Sequence, residues 1–513
     1  MPTFADFADI LQAHISPKDW ALIERLPVAG IKTDSRKLQA GDVLALLSIN
    51  PDTKDSAKHY LAPLQDTVIL SEIAPSEMGM TGVSPLVIHV PRLRLILGDF
   101  VKAVLQSQQA SRLPKVLAVT STNGKTTISQ LAAQLGELSS IPSATMGTAG
   151  NGRWGKLTPS THTTSEVVAT HEFAHQMALE GVQLLMLEAS SHGLHQHRLQ
   201  GVPVSVAVFG NLSRDHLDYH GTMAEYAAAK AMLFDTQLFA ELHHAVINID
   251  DEFGVQLADK LSQNTQLTVW TYSTANPRAD FFAKDIRPSL DGVRFELCSP
   301  FGELNLHSPL LGLFNVGNLL ASVAGFLALT SPSIRQQMFT SLPVLISQLC
   351  GARGRMEQVP STKQQGCFIV DYAHTPDALE QVLTSLREHC TGKLWTVFGC
   401  GGDRDKGKRP LMAQIGLTLA DKVVFTSDNP RSEDPHAILA DMQAGMTCQQ
   451  HYQAHIEPDR KQAIAYAINH AAADDIVVVA GKGHETYQEI KGVRYDFDDV
   501  AVITALLQSS IQA

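Results

Sequence analysis

The sequence predicts an α/β protein of three domains: a small α/β N-terminal domain over 1–110, a central P-loop ATPase-type domain over 111–350, and a C-terminal Rossmann-like doubly wound domain over 351–513. Three observations predict it. Short apolar, β-branched runs such as Val116–Val119, Val204–Phe209 and Ile476–Ala480 recur between helical or polar segments, as buried strands do. The later runs end in small, charged or Gly-rich residues, and open α/β sheets bind ligands at such strand ends. The length of 513 residues corresponds to about three domains.

Composition narrows the function. Hydrophobic residues make up 44% and charged residues 18%, ample for a packed globular core. A net charge of -12 with no local basic run excludes a nucleic-acid partner. The six cysteines (Cys298, Cys350, Cys367, Cys390, Cys400 and Cys448) form no C-x-x-C pair, which fits reduced thiols in a cytoplasmic protein. The first residues lack the pattern of a signal peptide, and no apolar run approaches the ~20 residues of a membrane span, so no membrane insertion is expected.

In the first domain, the strand-like runs Val43–Leu47, Thr67–Leu70 and Leu86–Val90 alternate with polar or helical pieces, ending with Arg92–Gln108. Its one pointed segment is Ile31–Asp42, where Asp34, Ser35 and Arg36 sit in a loop near a strand end. Taken alone, those residues read as a solvated turn.

The central domain opens with Val116-Leu-Ala-Val-Thr-Ser-Thr-Asn-Gly-Lys-Thr-Thr-Ile128, which reads as strand, tight loop and amphipathic helix. That layout binds phosphate, because backbone N–H groups and the helix dipole favour an anion at the helix start. Thr122, Asn123, Gly124, Lys125, Thr126 and Thr127 are the ATP-binding candidates, with Lys125 reaching the phosphates and Thr126 a Mg²⁺ ion. Val119 stands where the common motif has its first glycine.

Further along, Thr161–Glu166 reads either as ligand hydroxyls or as a helix cap. His171-Glu-Phe-Ala-His175 matches H-E-x-x-H, but within a nucleotide-binding pattern it reads as a partly exposed helix between strands. Val182–His192 is a buried strand whose terminal Glu188 is placed to hold a metal; His192, His195 and His197 follow without thiolates. Asn211–Gly221, after the run Val204–Phe209, adds Asp215, His216, Asp218 and His220, a Mg²⁺ and phosphate neighbourhood. Periodicity reads Lys230, on an Ala-rich helix, as a snorkelling surface residue. Short alternating strands fill 265–310, and Asn315 and Asn318 share a face of the next helix, where they could meet a nucleotide base or ribose.

In the last domain four strand-like runs each lead into a charged or Gly-rich loop. These loops hold Asp371-Tyr-Ala-His374, Gly399–Arg409, Asp428-Asn429-Pro430-Arg431 and Gly481-Lys-Gly-His-Glu485. Four such loops after four strands point to one convergent site in a doubly wound sheet.

These motifs together resemble the Mur ligase family over essentially the whole chain. The phosphate loop, Glu188-Ala-Ser-Ser-His, His216-Leu-Asp-Tyr-His-Gly, Tyr226-Ala-Ala-Ala-Lys230, Gly-Leu-Phe-Asn315-Val-Gly-Asn318, Gly-Arg355-Met-Glu357, Asp371-Tyr-Ala-His374-Thr-Pro-Asp and Gly-Lys-Gly-His-Glu485 carry the likeness. Ser121 stands where the family usually has glycine. Asp428-Asn-Pro-Arg431 looks like the signature of the family members that add meso-diaminopimelate.

The resemblance implies an ATP-dependent ligase that extends UDP-MurNAc-L-Ala-D-Glu through an acyl phosphate in peptidoglycan precursor synthesis. Thr33, Ser35, Arg36, Thr163, Thr164, Ser191 and Arg198 would bind the UDP-substrate. Asn315, Asn318, Arg355 and His374 would join the loop in binding ATP. Arg404, Asp428, Asn429, Pro430, Arg431, Gly481 and Glu485 would hold diaminopimelate. Lys125, Lys230 and His216 would be catalytic, and Mg²⁺ would be held by Thr126, Glu188, His216 and Lys230 as a carbamate. A monomer is expected. The alternatives are a lysine-adding ligase of the same type, a folylpolyglutamate-type ligase, or a nucleotide-driven switch.

Overall fold

A computed structural model describes the chain except residues 48–60, 62, 65, 79–84, 290, 362–364, 445, 512 and 513. The chain divides into two compact units, Met1–Thr271 with Val323–Ser331, and Tyr272–Ser322 with Pro332–Ala513.

The first unit holds a small parallel sheet and a larger, mixed one, antiparallel at its Gly150–Arg153 and Lys156–Thr158 end. The smaller runs in chain order, β1 (Gly30–Lys32), β2 (Asp42–Leu46), β3 (Val68–Ser71) and β4 (Leu86–His89). Phe4, Phe7, Leu11 and Trp20 pack it against Phe100, Val101 and Val104 of the helix Leu97–Gln108. The larger is built from β5 (Lys115–Thr120), β6 (Ser143–Gly147), β7 (Gly150–Arg153), β8 (Lys156–Thr158), β9 (Leu184–Glu188), β10 (Val204–Phe209) and β11 (His244–Asn248), in the spatial order β11-β10-β5-β9-β6-β7-β8. β10, β5 and β9 are parallel neighbours buried along almost their whole length, which explains their unbroken apolar runs. β12 (Thr268–Ser273) then leads into the second unit.

The second unit begins with an antiparallel ladder, β13 (Phe281–Ser289), β14 (Gly292–Ser299) and β15 (Gly302–Ser308). Its main sheet comprises β16 (Glu357–Val359), β17 (Cys367–Asp371), β18 (Leu394–Phe398), β19 (Lys422–Phe425), β20 (Ala454–Ile456) and β21 (Ile476–Ala480), ordered β16-β17-β21-β18-β19-β20. All its pairings are parallel except that of β16. Apolar clusters cover both faces, one around Leu379, Leu383 and Met412 and the other around Trp395, Ile464 and Ile503. A hairpin of β22 (Tyr487–Ile490) and β23 (Val493–Asp496) follows. No helix among the described residues is long and apolar enough to cross a membrane.

Because β17, β21, β18 and β19 are adjacent and parallel, their carboxyl ends lie on one edge of the sheet, as the four charged loops predicted.

Candidate active site

In the first unit the phosphate loop joins β5 to the helix Lys125–Leu138. Gly124 takes φ 94° just before that helix, a left-handed conformation that favours glycine. The loop is tied to the chain after β10: Thr122 N donates to Asn211 O (2.8 Å), and Asn123 N to Asn211 Oδ1 (2.9 Å). Lys125 Nζ donates to Ser121 O (2.7 Å) and Thr122 O (3.0 Å). Thr126 and Thr127 are buried in the first helical turn.

Glu188 ends β9, one strand over, and is 3% exposed. It accepts from Thr148 N (2.9 Å) and Thr148 Oγ1 (3.1 Å), and that hydroxyl lies 3.0 Å from Thr163 Oγ1. A Cβ on Gly147 would sit 2.1 Å from Glu188 Oε1, so the carboxylate occupies a place open only beside glycine. Thr164 Oγ1 donates to Glu188 O (2.6 Å) and accepts from Ser190 N (2.9 Å). Arg198 Nη1 donates to Thr164 O (2.8 Å), and Ser191 Oγ lies 2.9 Å from His220 Nε2. Glu166 occupies the cap position of the helix Val167–Leu179 without a side-chain cap, so the capping reading of Thr161–Glu166 fails. The hydroxyls of Thr163 and Thr164 are spent around Glu188 instead.

Lys230 corrects the periodicity reading outright. It is 1% exposed, with Nζ 4.5 Å from the centroid of the Tyr226 ring. Burial, and then repulsion from Lys125, push its amine well below the ordinary lysine range. Tyr226 OH lies 3.1 Å from Thr122 Oγ1, so the same helix also touches the phosphate loop. His216 has φ 54° at the start of the short helix Leu217–His220 and stacks edge-on to His192 at 4.8 Å; burial lowers its pKa.

The H-E-x-x-H helix is partly exposed, as expected, with Ala169, Gln176 and Leu179 on its open face and both histidines turned inward. His171 Nε2 bonds Gln200 O at 2.8 Å, and His175 Nδ1 lies 3.1 Å from Ser111 Oγ. Among the described residues, neither that pair nor His192, His195 and His197 belongs to a cluster with three ligand atoms within 4.8 Å.

After β1, Thr33 Oγ1 donates to Glu166 Oε2 (2.6 Å). Asp34 caps a 3-10 turn, Ser35–Lys37, and pairs with the exposed Arg36 at 2.8 Å, which holds its carboxyl at about 2.

In the second unit, Asn318 Nδ2 donates to Asn315 Oδ1 (2.9 Å) and Asn315 Nδ2 to Leu311 O (2.6 Å), so the two amides on one helix face meet each other. Arg355 lies over the Tyr372 ring at 4.5 Å, and His374 Nδ1 bonds Tyr372 O at 2.8 Å. Asp371, at the end of β17, is buried, and it accepts from Met356 N and Ala373 N, each at 2.7 Å. Burial nonetheless raises its pKa.

The loops after β18, β19 and β21 are stitched together. Asn429 Nδ2 donates to Glu485 Oε2 (2.8 Å), while its Oδ1 accepts from Lys482 Nζ (3.2 Å) and Glu489 N (2.9 Å). Lys482, fully buried, also lies 3.2 Å from Glu485 and 3.7 Å from Asp428 Oδ1, an oxygen with no hydrogen-bond partner among the described residues. Gly481 takes φ 110° and passes close to Asp428. Arg431 has φ 51°, and its Nη1 donates to Gly402 O (2.7 Å). Pro430 precedes it, and its carbonyl passes so close to Gly402 that a Cβ there would lie 2.0 Å away. Arg404 is exposed, bonded only weakly to Asp403 O at 3.5 Å.

Residues that the motif reading passed over support these loops. Buried Arg409 pairs with Glu433 (2.8 Å) and Asp441 (2.7 Å). Buried Arg460 pairs with buried Asp499 at 2.7 Å and reaches Ala480 O and Ser427 O. Asn211, Thr148 and Lys482 act likewise around the phosphate loop, Glu188 and Asn429. Of these, Asn211, Arg409 and Lys482 stood inside segments the motifs had marked.

Two family models match the chain: the Mur ligase middle domain over residues 119–325 and the Mur ligase glutamate ligase domain over 354–483. A protein of Vibrio vulnificus (strain YJ016), a UDP-N-acetylmuramoyl-L-alanyl-D-glutamate--2,6-diaminopimelate ligase, is 40% identical over 479 residues, covering 92% of this chain and 93% of its own. A ligase of the same name from Xanthomonas campestris pv. campestris (strain 8004) is 41% identical over 490 residues, covering 95% and 96%. A solved structure of such a ligase aligns with a TM-score of 0.73 at 41% identity, covering 99% of both chains.

Proposed function

The chain belongs to the Mur ligase family, and we propose on that premise that it is the ATP-dependent ligase joining meso-diaminopimelate to the D-Glu γ-carboxylate of UDP-MurNAc-L-Ala-D-Glu in peptidoglycan synthesis. The three domains are 1–110 for the UDP moiety, 111–350 for ATP and 351–513 for the amino acid. The enzyme works as a monomer in the cytoplasm.

The γ-carboxylate oxygen attacks the γ-phosphorus of ATP, forming a C–O–P bond as ADP leaves. The diaminopimelate amine then attacks the acyl carbon, the amide forms, phosphate leaves, and the amine proton passes to solvent. Both steps bring anions together. Lys125 and the N–H groups at the start of its helix neutralise the phosphates. Thr163, Thr164, Ser191 and Arg198 carry the muramyl-dipeptide, while Thr33, Ser35 and Arg36 meet the nucleotide. The likeness to the family assigns Asn315, Asn318, Arg355 and His374 to ATP binding as well.

A Mg²⁺ ion fits the donors present: the Thr126 hydroxyl and the buried Glu188 carboxylate are hard oxygen ligands, and His216 lies within electrostatic reach of Lys125 and Lys230. Bound there, the ion supplies charge neutralisation for phosphoryl transfer. Burial that depresses the pKa of Lys230 favours the neutral, nucleophilic form of its amine, the form that takes up CO₂. The carbamate so formed would be an anion beside Lys125, turning repulsion into attraction.

The observation that carries the amino-acid assignment is the stitched set of loops around Arg431, Asp428, Asn429, Lys482 and Glu485. Two carboxylates facing one ammonium leave net negative charge for an amino group, while Arg431 offers a fork for a carboxylate. Lysine lacks the distal carboxylate of diaminopimelate, and a site built for a missing polar group rejects the analogue by ~10⁴–10⁵. The test is product formation from UDP-MurNAc-L-Ala-D-Glu, ATP and Mg²⁺ with either amino acid. Product with diaminopimelate alone is expected. Product with lysine would discard the specificity argument, and no amino-acid-dependent phosphate release would discard the ligase.

A further inference from the structure

We propose that Ser121 is a positioning residue for the nucleotide: its side chain fixes the phosphate loop in the orientation that binds phosphate, in partnership with the space left by Gly210. The inference rests on the reading of this loop as the ATP site.

Ser121 is fully buried. Its hydroxyl donates to Asn123 O and accepts from Asn211 N at 2.9 Å. Asn211 grips the same residue from the other side, with Nδ2 donating to Asn123 O at 3.0 Å and Oδ1 accepting from Asn123 N at 2.9 Å. Both polar backbone groups of Asn123 are therefore held.

The consequence follows from peptide geometry. In a planar trans peptide, the carbonyl and the next N–H point in opposite directions. Turning Asn123 O towards Ser121 and Asn211 turns Gly124 N–H away from them, beside the N–H groups that open the helix Lys125–Leu138. A free peptide at this point could flip and present its carbonyl to an incoming phosphate. Two donors on Asn123 O oppose that flip, and one of them exists only because residue 121 has a side chain.

Gly210 makes the arrangement possible. A Cβ there would lie 2.5 Å from Ser121 Oγ and 2.9 Å from Ser121 Cβ, with the Ile128 methyl next at 3.7 Å. The two positions are sterically matched: a side chain at 121 requires none at 210.

The test uses the full chain with Ser121→Ala, Ser121→Gly, Gly210→Ala and the double variant Ser121→Gly/Gly210→Ala. Calorimetric Mg-ADP affinity, KM for ATP, KM for the UDP-substrate, kcat and thermal midpoint are measured. Ser121→Ala is expected to weaken ADP binding and raise KM for ATP about 3–10-fold, the worth of one net hydrogen bond. kcat and KM for the UDP-substrate stay within about twofold. Gly210→Ala lowers the thermal midpoint when Ser121 is present and has little effect in the Ser121→Gly background. Unchanged nucleotide affinity in Ser121→Ala, or equal damage from Gly210→Ala in both backgrounds, overturns the proposal while the parent protein still binds ADP. Failure of the parent to bind ADP overturns the ATP reading, and this inference with it.

Discussion

Replacing Arg460 by methionine should destabilise the second unit severely and weaken diaminopimelate binding with it. Arg460 and Asp499 are 1% and 0% exposed. The guanidinium makes two bonds to the carboxylate, Nε to Oδ1 at 2.8 Å and Nη2 to Oδ2 at 2.7 Å. It also donates to Ala480 O at 2.9 Å and, at 3.4 Å, to Ser427 O. Removing it strands a buried carboxylate, a change that costs about 3–5 kcal/mol. At 2–4 °C per kcal/mol for a unit of this size, the thermal midpoint should fall by about 6–20 °C. Ser427 and Ala480 directly precede Asp428 and Gly481, so KM for diaminopimelate should rise more than KM for ATP. The decisive comparison is Arg460→Met with Arg460→Met/Asp499→Leu in thermal and denaturant unfolding. Two apolar residues strand no charge, so the double variant should recover at least half of the loss. A midpoint drop under about 3 °C in the single variant, or a double variant no more stable than the single one, would refute the argument from charge burial.

Three further outcomes are expected. Arg431→Ala should raise KM for diaminopimelate about 10–100-fold, the worth of a charged hydrogen-bond pair, and shrink the discrimination against lysine; steady-state kinetics with both amino acids decide it. Lys230→Ala should lower kcat on the order of 10²–10³-fold and be partly rescued by added formate or acetate, whereas undiminished turnover would remove the carbamate from the mechanism. His171 titrates at about 4, below its ordinary 6.5, because it is buried. Between those values the unfolded chain binds more protons, so the stability His171 contributes is lost as pH falls from 6.5 towards 4, by up to ~3 kcal/mol. Unfolding free energies of His171→Gln should show a shallower slope across that window, and parallel slopes would contradict the assignment.

What the sequence determined by itself is the framework and the places where chemistry gathers. A β-branched run, a tight loop with glycine and a helical period specify strand, turn and helix through backbone preferences that act within a few residues. The phosphate loop, Glu188 at a strand end, and four charged loops after four strands were therefore legible. The tertiary structure alone decided which side chains face one another. Lys230 reads as a surface lysine on an Ala-rich helix, yet Tyr226 and segments remote in sequence bury it. Asn429 and Lys482, 53 positions apart, meet because β19, β18 and β21 lie side by side. Arg460 opens an unremarkable helix, and its buried partner Asp499 is 39 positions away. A local pattern carries no record of such pairings, because strand order and register bring the partners together, and the cost of leaving a buried charge or polar group unpaired holds them there.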